Sequence, residues 1–307
     1  MKIIYSLITG LKRTLRAWKG ALIITLSLLL VTSFFTLSLK TLLRNGFGSS
    51  MAPSEMADNF NFDLIADLFQ NIGGVRSIIP SDLFLVFLTG FLLITFFTGG
   101  LFDFFRNDRQ RFSIARFFNA SATFFWPFLG ISLMTGLMIL FLPLLIMIVV
   151  GSIGYMNEQG GGNSIISVVM TGVMAILMIL VFLVADFSRA YYVANDSPGI
   201  FRSIGFGFKM TFGKFFTSVP LMLILVIINI LLLWMMTVLI GRIRPGPGFI
   251  VFLMFLLSQI LFFIRIISRA WRYAGITSLM EQFLKAEEKI SDQPAAIITE
   301  PAEPMMI

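Results

Sequence analysis

Six stretches of this chain hold no Asp, Glu, Lys or Arg in their interiors: 21–39, 83–101, 124–150, 165–185, 219–240 and 249–264. Crossing a hydrocarbon layer of about 30 Å takes about 20 mostly apolar residues at 1.5 Å per residue. Core helices of water-soluble proteins are shorter and punctuated by charge, so the six stretches predict an all-α, polytopic membrane helix bundle. Composition agrees. Only 13% of residues are charged and 57% are hydrophobic, whereas a soluble domain is about 25% charged. The first stretch begins too late and lacks an A-x-A-like site, so it reads as an uncleaved anchor.

Lysine and arginine concentrate on the cytoplasmic side of membrane proteins. Of the 23 basic residues, only Lys40, Arg44, Arg76, Arg242 and Arg244 fall on the face holding the 44–82 loop. The remainder cluster on the face that holds both termini and the 102–122 and 186–215 loops. The expected topology is three hairpins with both ends in the cytoplasm. The basic balance then serves orientation and lipid, and no nucleic acid is expected as a partner.

Residues 3–19 place Ile3, Ile4, Leu7, Ile8, Leu11, Leu15 and Trp18 on one helical face and Lys12, Arg13, Arg16 and Lys19 on another. This pattern predicts an amphipathic helix over 1–20 that lies in the headgroup plane. Residues 112–125 and 200–216 repeat the mixture of phenylalanine and base before the third and fifth spans. The even-numbered spans end alike, as Asp103-Phe104-Phe105-Arg106, Asp186-Phe187-Ser188-Arg189 and Ser268-Arg269-Ala270-Trp271-Arg272. Three units follow, each an amphipathic lead-in, a hairpin and an arginine-aromatic exit. Arg106, Arg189, Arg269 and Arg272 are the candidate contacts for lipid or a protein partner. Membrane lipids, anionic ones above all, are the expected partners. The membrane domain is expected to run over 21–288, and the Pro- and Glu-rich tail 289–307 to be disordered. The outer 60–69 segment reads as a short amphipathic helix with Asp63 and Asp67 on its polar face.

The run from Asp186 to Pro220 carries an aromatic-arginine span end, an Asn195-Asp196-Ser197-Pro198 turn and a basic amphipathic helix leading into the next span. It resembles uncharacterised six-span bacterial membrane proteins. It is similar in layout to the membrane domain attached to some glycerophosphodiester phosphodiesterases. The resemblance implies a fold, and a bacterial inner-membrane location is expected. It implies no activity, because the catalytic domain of those enzymes has no counterpart here.

Chemistry is sparse. Without histidine or cysteine, the common zinc, haem and thiolate sites have no ligands, and no cofactor is expected. There is no P-loop, dinucleotide fingerprint or nucleophile elbow, and Gly205-x-Gly207 reads as a packing feature. Asn229 and Gln259 are the most polar residues at mid-membrane depth, at matching distance from the outer turn, and are expected to pair across a hairpin. Small residues at Ser167, Thr171 and Ala175, and at Ser132 and Gly136, predict close helix approach. Pro127 and Pro143 are expected to bend the third span. The expected role is a non-enzymatic interaction or scaffold protein that binds anionic lipid. A transporter or permease subunit is the alternative.

Overall fold

The computed structural model describes residues 2–47, 75–107, 112–155, 164–195, 198–242 and 248–291. They form eight α-helices: α1 (Lys2–Arg16), α2 (Trp18–Phe47), α3 (Val75–Arg106), α4 (Ile114–Tyr155), α5 (Ser164–Ala194), α6 (Ile200–Gly213), α7 (Phe215–Arg242) and α8 (Gly248–Ser291). Six of them, α2 to α5, α7 and α8, are long and apolar enough to cross a membrane. The chain is an integral, multi-pass membrane protein. The 60–69 segment, the glycine-rich second outer loop and residues 292–307 lie outside the described residues.

The hairpins α2–α3, α4–α5 and α7–α8 are each packed together, but the helices outrun the hydropathy boundaries. The sixth spanning segment continues as one helix through Phe252–Ala286 instead of stopping at residue 264, and α8 itself runs to Ser291, into the segment expected to be tail. Its 44 residues correspond to roughly 66 Å, more than the bilayer with its headgroups. The extension is helical because its side chains are buried by protein rather than lipid: Tyr273, Ala274, Ile276, Leu279, Met280 and Phe283 are all covered. The second lead-in is likewise not a separate helix, since α4 passes through residues 114–125 and on through Pro127 without a break.

The first and third lead-ins are separate helices. Ala17 ends α1 and Lys214 ends α6, and each corner is closed by three-residue turns, Gly20 N–H to the Ala17 carbonyl and Thr217 N–H to the Lys214 carbonyl. Neither lead-in lies free in the headgroup plane. α1 packs on the C-terminal half of α8, and α6 packs on the C-terminal half of α5, the ends that the basic residues predict to be the inner ones. The face that docks is the small one. Ser6 and Thr14 of α1, and Ser203, Gly207 and Thr211 of α6, are buried. Ile4, Ile8, Leu11 and Leu15, and Phe201, Phe208 and Phe212, remain exposed on the opposite side. The two helices thus turn their small-residue faces to the bundle and their apolar faces outward, as a lipid surround requires.

Each lead-in therefore packs on the end of the preceding unit. Phe117 and Ser121 of α4 meet Gly100 of α3, Gly207 of α6 meets Ser188 of α5, and Gly10 of α1 meets Gly275 of α8. The last contact closes a ring between the first and last helices. It is reinforced by a two-pronged Arg13–Glu281 ion pair at 2.8 and 3.0 Å. Trp271 donates its indole N–H to the Leu7 carbonyl, and Gln282 donates to Ser6 Oγ. The buried core lies in this inner half, from Ala17 and Ala21 through Phe102, Phe105, Phe128, Phe187 and Leu221 to Met280. Toward their outer ends the spans expose Leu30, Phe87, Leu140, Ile176, Ile230 and Phe252.

Candidate functional site

The inner ends of the even-numbered spans share one chemical plan with one departure. Asp103 lies three residues before Arg106, and Asp186 three before Arg189. The corresponding position before Arg269 is Ile266. The third exit brings two arginines, Arg269 and Arg272, and no acid of its own.

Asp186 of α5 resolves part of that imbalance. Its side chain is 1% exposed, and a lone carboxylate so placed would be strongly disfavoured. Arg189 Nη1 donates to its Oδ1 at 3.1 Å, as the three-residue spacing predicts. Arg272 Nε of α8 lies 3.0 Å from its Oδ2, an ion pair without hydrogen-bond alignment. Arg272 also lies over the Phe182 and Tyr273 rings, at 5.6 and 5.1 Å from their centres. Arg189 spends its other terminal nitrogen on Ser132 Oγ of α4 at 3.0 Å. One carboxylate thus holds two guanidiniums from two helices, and the guanidinium of Arg269 has no ion pair or hydrogen bond among the described residues.

Above this cluster the spans part. A cavity of about 460 Å³ lies between α3, α4, α5 and α8. Arg189, Arg269, Arg272 and Tyr273 form its charged end. Val86, Phe87, Phe91, Ile94, Ile139 and Phe182 form apolar walls, with Thr95, Thr98, Ser132 and Thr135 between them. Thr98 and Thr135 donate their hydroxyls to the carbonyls of Ile94 and Ile131 in their own helices. The arginines are therefore the strong donors the cavity offers. A smaller cavity of about 200 Å³ lies on the α7 side of α8, lined by Asn229, Arg265, Arg269 and Arg272 among aliphatic side chains. Arg269 and Arg272 border both.

The arginines singled out from the sequence thus divide. Arg189, Arg269 and Arg272 come together at the cavity. Arg106 does not join them, and ties the end of α3 to α5 by donating to the Val193 carbonyl. Asp103, the acid of that exit, pairs with Arg116 at 3.1 Å.

Asn229 and Gln259 are not brought into hydrogen-bond contact. Asn229 Nδ2 donates to the Leu225 carbonyl one turn back. Gln259 Nε2 reaches Ser258 Oγ at 3.4 Å, and its buried carbonyl oxygen has no hydrogen-bond partner among the described residues. In lipid a side-chain amide needs some partner, and an i−4 carbonyl on its own helix satisfies that need without a neighbour. The stripe on the third span also serves differently from expectation. Gly136 approaches no neighbour and instead, with Ser132, lines the cavity. Thr171 and Ala175 are exposed, and the side chain of Ser167 is outside the described residues.

Sequence reasoning missed the docking faces of the lead-ins, though a signal was there. Ser6, Gly10, Lys12 and Thr14 recur with identical spacing as Ser203, Gly207, Lys209 and Thr211. Serine, glycine and threonine four residues apart make a smooth stripe on which another backbone can lie closely. Gly207 is the packing feature foreseen for the glycine pair, whereas Gly205 faces open space. In the second lead-in Phe117 occupies the glycine position, and the smallness moves to the partner helix at Gly100.

Among the described residues no group of three or more His, Cys, Asp or Glu is placed to hold a metal ion. Comparison with models of known protein families, with curated proteins and with solved structures finds no match for this chain, so the functional reading rests on the site itself.

Proposed function

We propose that this chain is a non-enzymatic component of a bacterial inner membrane, both termini cytoplasmic, that gathers anionic lipid at its inner rim and offers that rim to a membrane complex. The observation that carries this reading is the excess of positive charge where the inner half of the bundle meets lipid. Arg189 and Arg272 share one buried acid, and Arg269 beside them has none among the described residues. On α6 and at its C-cap the exposed Arg202, Lys209 and Lys214 alternate with the exposed rings of Phe201, Phe208 and Phe212. Each base near an anionic surface contributes about 1 kcal/mol of attraction, decaying over about 8–10 Å. Catalysis has little support, because Asp186, the acid of the cluster, is held between two arginines and no histidine or cysteine exists.

The test is lipid and protein analysis of the chain extracted from bacterial membranes in mild detergent. Anionic lipid should be enriched over its share of the bulk membrane, and replacing Arg202, Lys209 and Lys214 together by Gln should reduce the enrichment. Bulk-like lipid around the unaltered protein would overturn the reading.

The cavity between α3, α4, α5 and α8 favours a second reading, a permease or transporter subunit. The cysteine-free chain provides a clean background for separating the two. A cysteine at Thr95 that is labelled by an impermeant maleimide from either side of the membrane in turn supports transport, and labelling from one side or neither supports the first reading.

A further inference from the structure

We infer that the cavity between α3, α4, α5 and α8 is a binding site for one lipid bearing a terminal phosphate monoester, its head on Arg189, Arg269 and Arg272 and its chain along the apolar walls. This rests on the anionic-lipid reading above and narrows it from a rim to a single site inside the protein.

Three observations lead here. The first is charge. Three guanidiniums face one carboxylate, Asp186, so the cavity's inner end carries an excess of two positive charges. A phosphate monoester carries about −1.5 to −2 at neutral pH and matches that excess, whereas a phosphodiester leaves one charge over. The second is donor geometry. Arg269 reaches the cavity with no hydrogen bond or ion pair of its own among the described residues. Thr98 and Thr135 have turned their protons onto their own helix carbonyls, which leaves arginine as the charged donor for an anion. The third is the amphiphilic lining. Beyond the arginines the walls are apolar, and the mouth is open to lipid, with Phe87 71% and Phe182 38% exposed. A volume of about 460 Å³ lies within the roughly 300–1,000 Å³ of ligand sites. It suits a phosphate and the near part of one chain, with the remainder left in the bilayer. A free anion would use the charged end and leave the apolar walls unexplained.

Native mass spectrometry of the full chain titrated with phosphatidic acid, with phosphatidylcholine and inorganic phosphate as comparisons, tests the inference. One phosphatidic acid should bind per chain. Arg269→Gln should weaken it about tenfold or more, the effect of losing a charged hydrogen bond, without disturbing the Asp186 cluster. Gly136→Phe should also weaken it, by filling the cavity. A Cβ at Gly136 meets nothing within 4 Å, so the new side chain starts into open space, and thermal melts of both variants, run alongside, should match the parent. The Arg202, Lys209 and Lys214 triple variant should bind as the parent does.

Equal binding of phosphatidylcholine, or displacement by inorganic phosphate at comparable concentration, would overturn the inference. So would loss in the triple variant together with retention in Arg269→Gln and Gly136→Phe, although the rim reading would then survive. Bulk-like lipid after extraction from membranes would remove both.

Discussion

Replacing Asp186 by Asn keeps the shape of the side chain and removes the negative charge that Arg189 and Arg272 share. The carboxylate is 1% exposed, and the two guanidinium side chains are 13% and 20% exposed, so solvent compensates little. Breaking a buried pair from one side costs about 3–5 kcal/mol, because the stranded charge stays buried. Here two charges are stranded. Arg189 retains Ser132 and Arg272 retains two rings, which holds the expected loss to that same range. At roughly 2–4 °C per kcal/mol for a large domain, the melting midpoint should fall by about 10 °C, followed through the intrinsic fluorescence of the four tryptophans. Asp186→Asn combined with Arg272→Gln should recover part of the loss, since one stranded charge is then gone, giving a coupling of about 1–3 kcal/mol. A single variant that melts within a degree of the parent, or a double variant showing no coupling, would refute the claim that this acid is the counter-charge of both arginines.

Gly10→Ala would place a carbon 2.7 Å from the Gly275 backbone nitrogen, so the helices must separate, at a cost of about 1–3 kcal/mol. Gly207→Ala meets the Val184 carbonyl at 2.5 Å and should cost a similar amount. Gly205→Ala meets nothing and should be neutral or stabilise by a few tenths to about 1 kcal/mol; equal effects at 205 and 207 in the same melts would count against the docking face. Reporter fusions after residues 110, 200 and 290 should read as cytoplasmic and fusions near 65 and 160 as exterior. A cytoplasmic signal at 65 would reverse the orientation drawn from the basic residues.

The spans were legible because lipid imposes a one-dimensional rule, a minimum length of apolar chain, that hydropathy reads directly. The Asp186–Arg189 pair follows a similar rule, since three residues along a helix set the distance. The same rule misplaced the end of the sixth span. At Arg265 hydropathy falls, yet α8 continues, because Tyr273 to Phe283 are covered by α1 and other helices. Which helix covers which is decided by small residues that carry almost no hydropathy signal, such as Gly10, Gly100 and Gly207. The cavity was equally hidden. Arg189 and Arg272 lie 83 positions apart, and only the fold puts both on Asp186. Asn229 and Gln259 failed to pair because equal depth fixes only one coordinate, and rotation about each helix fixes the other.

The closure of α1 on α8 also sets the order of assembly. Leu7 and Trp271 are 264 residues apart, and synthesis at about 5–20 residues per second separates their emergence by roughly 13–53 s. For that interval the first helix is at the membrane with its Ser6, Gly10 and Thr14 face waiting for a partner not yet made. Five spans can be inserted, and two of the three lead-ins docked, before the ring has anything to close upon. A ribosome that stalls before residue 271 therefore leaves the seam between the first and last units unsealed.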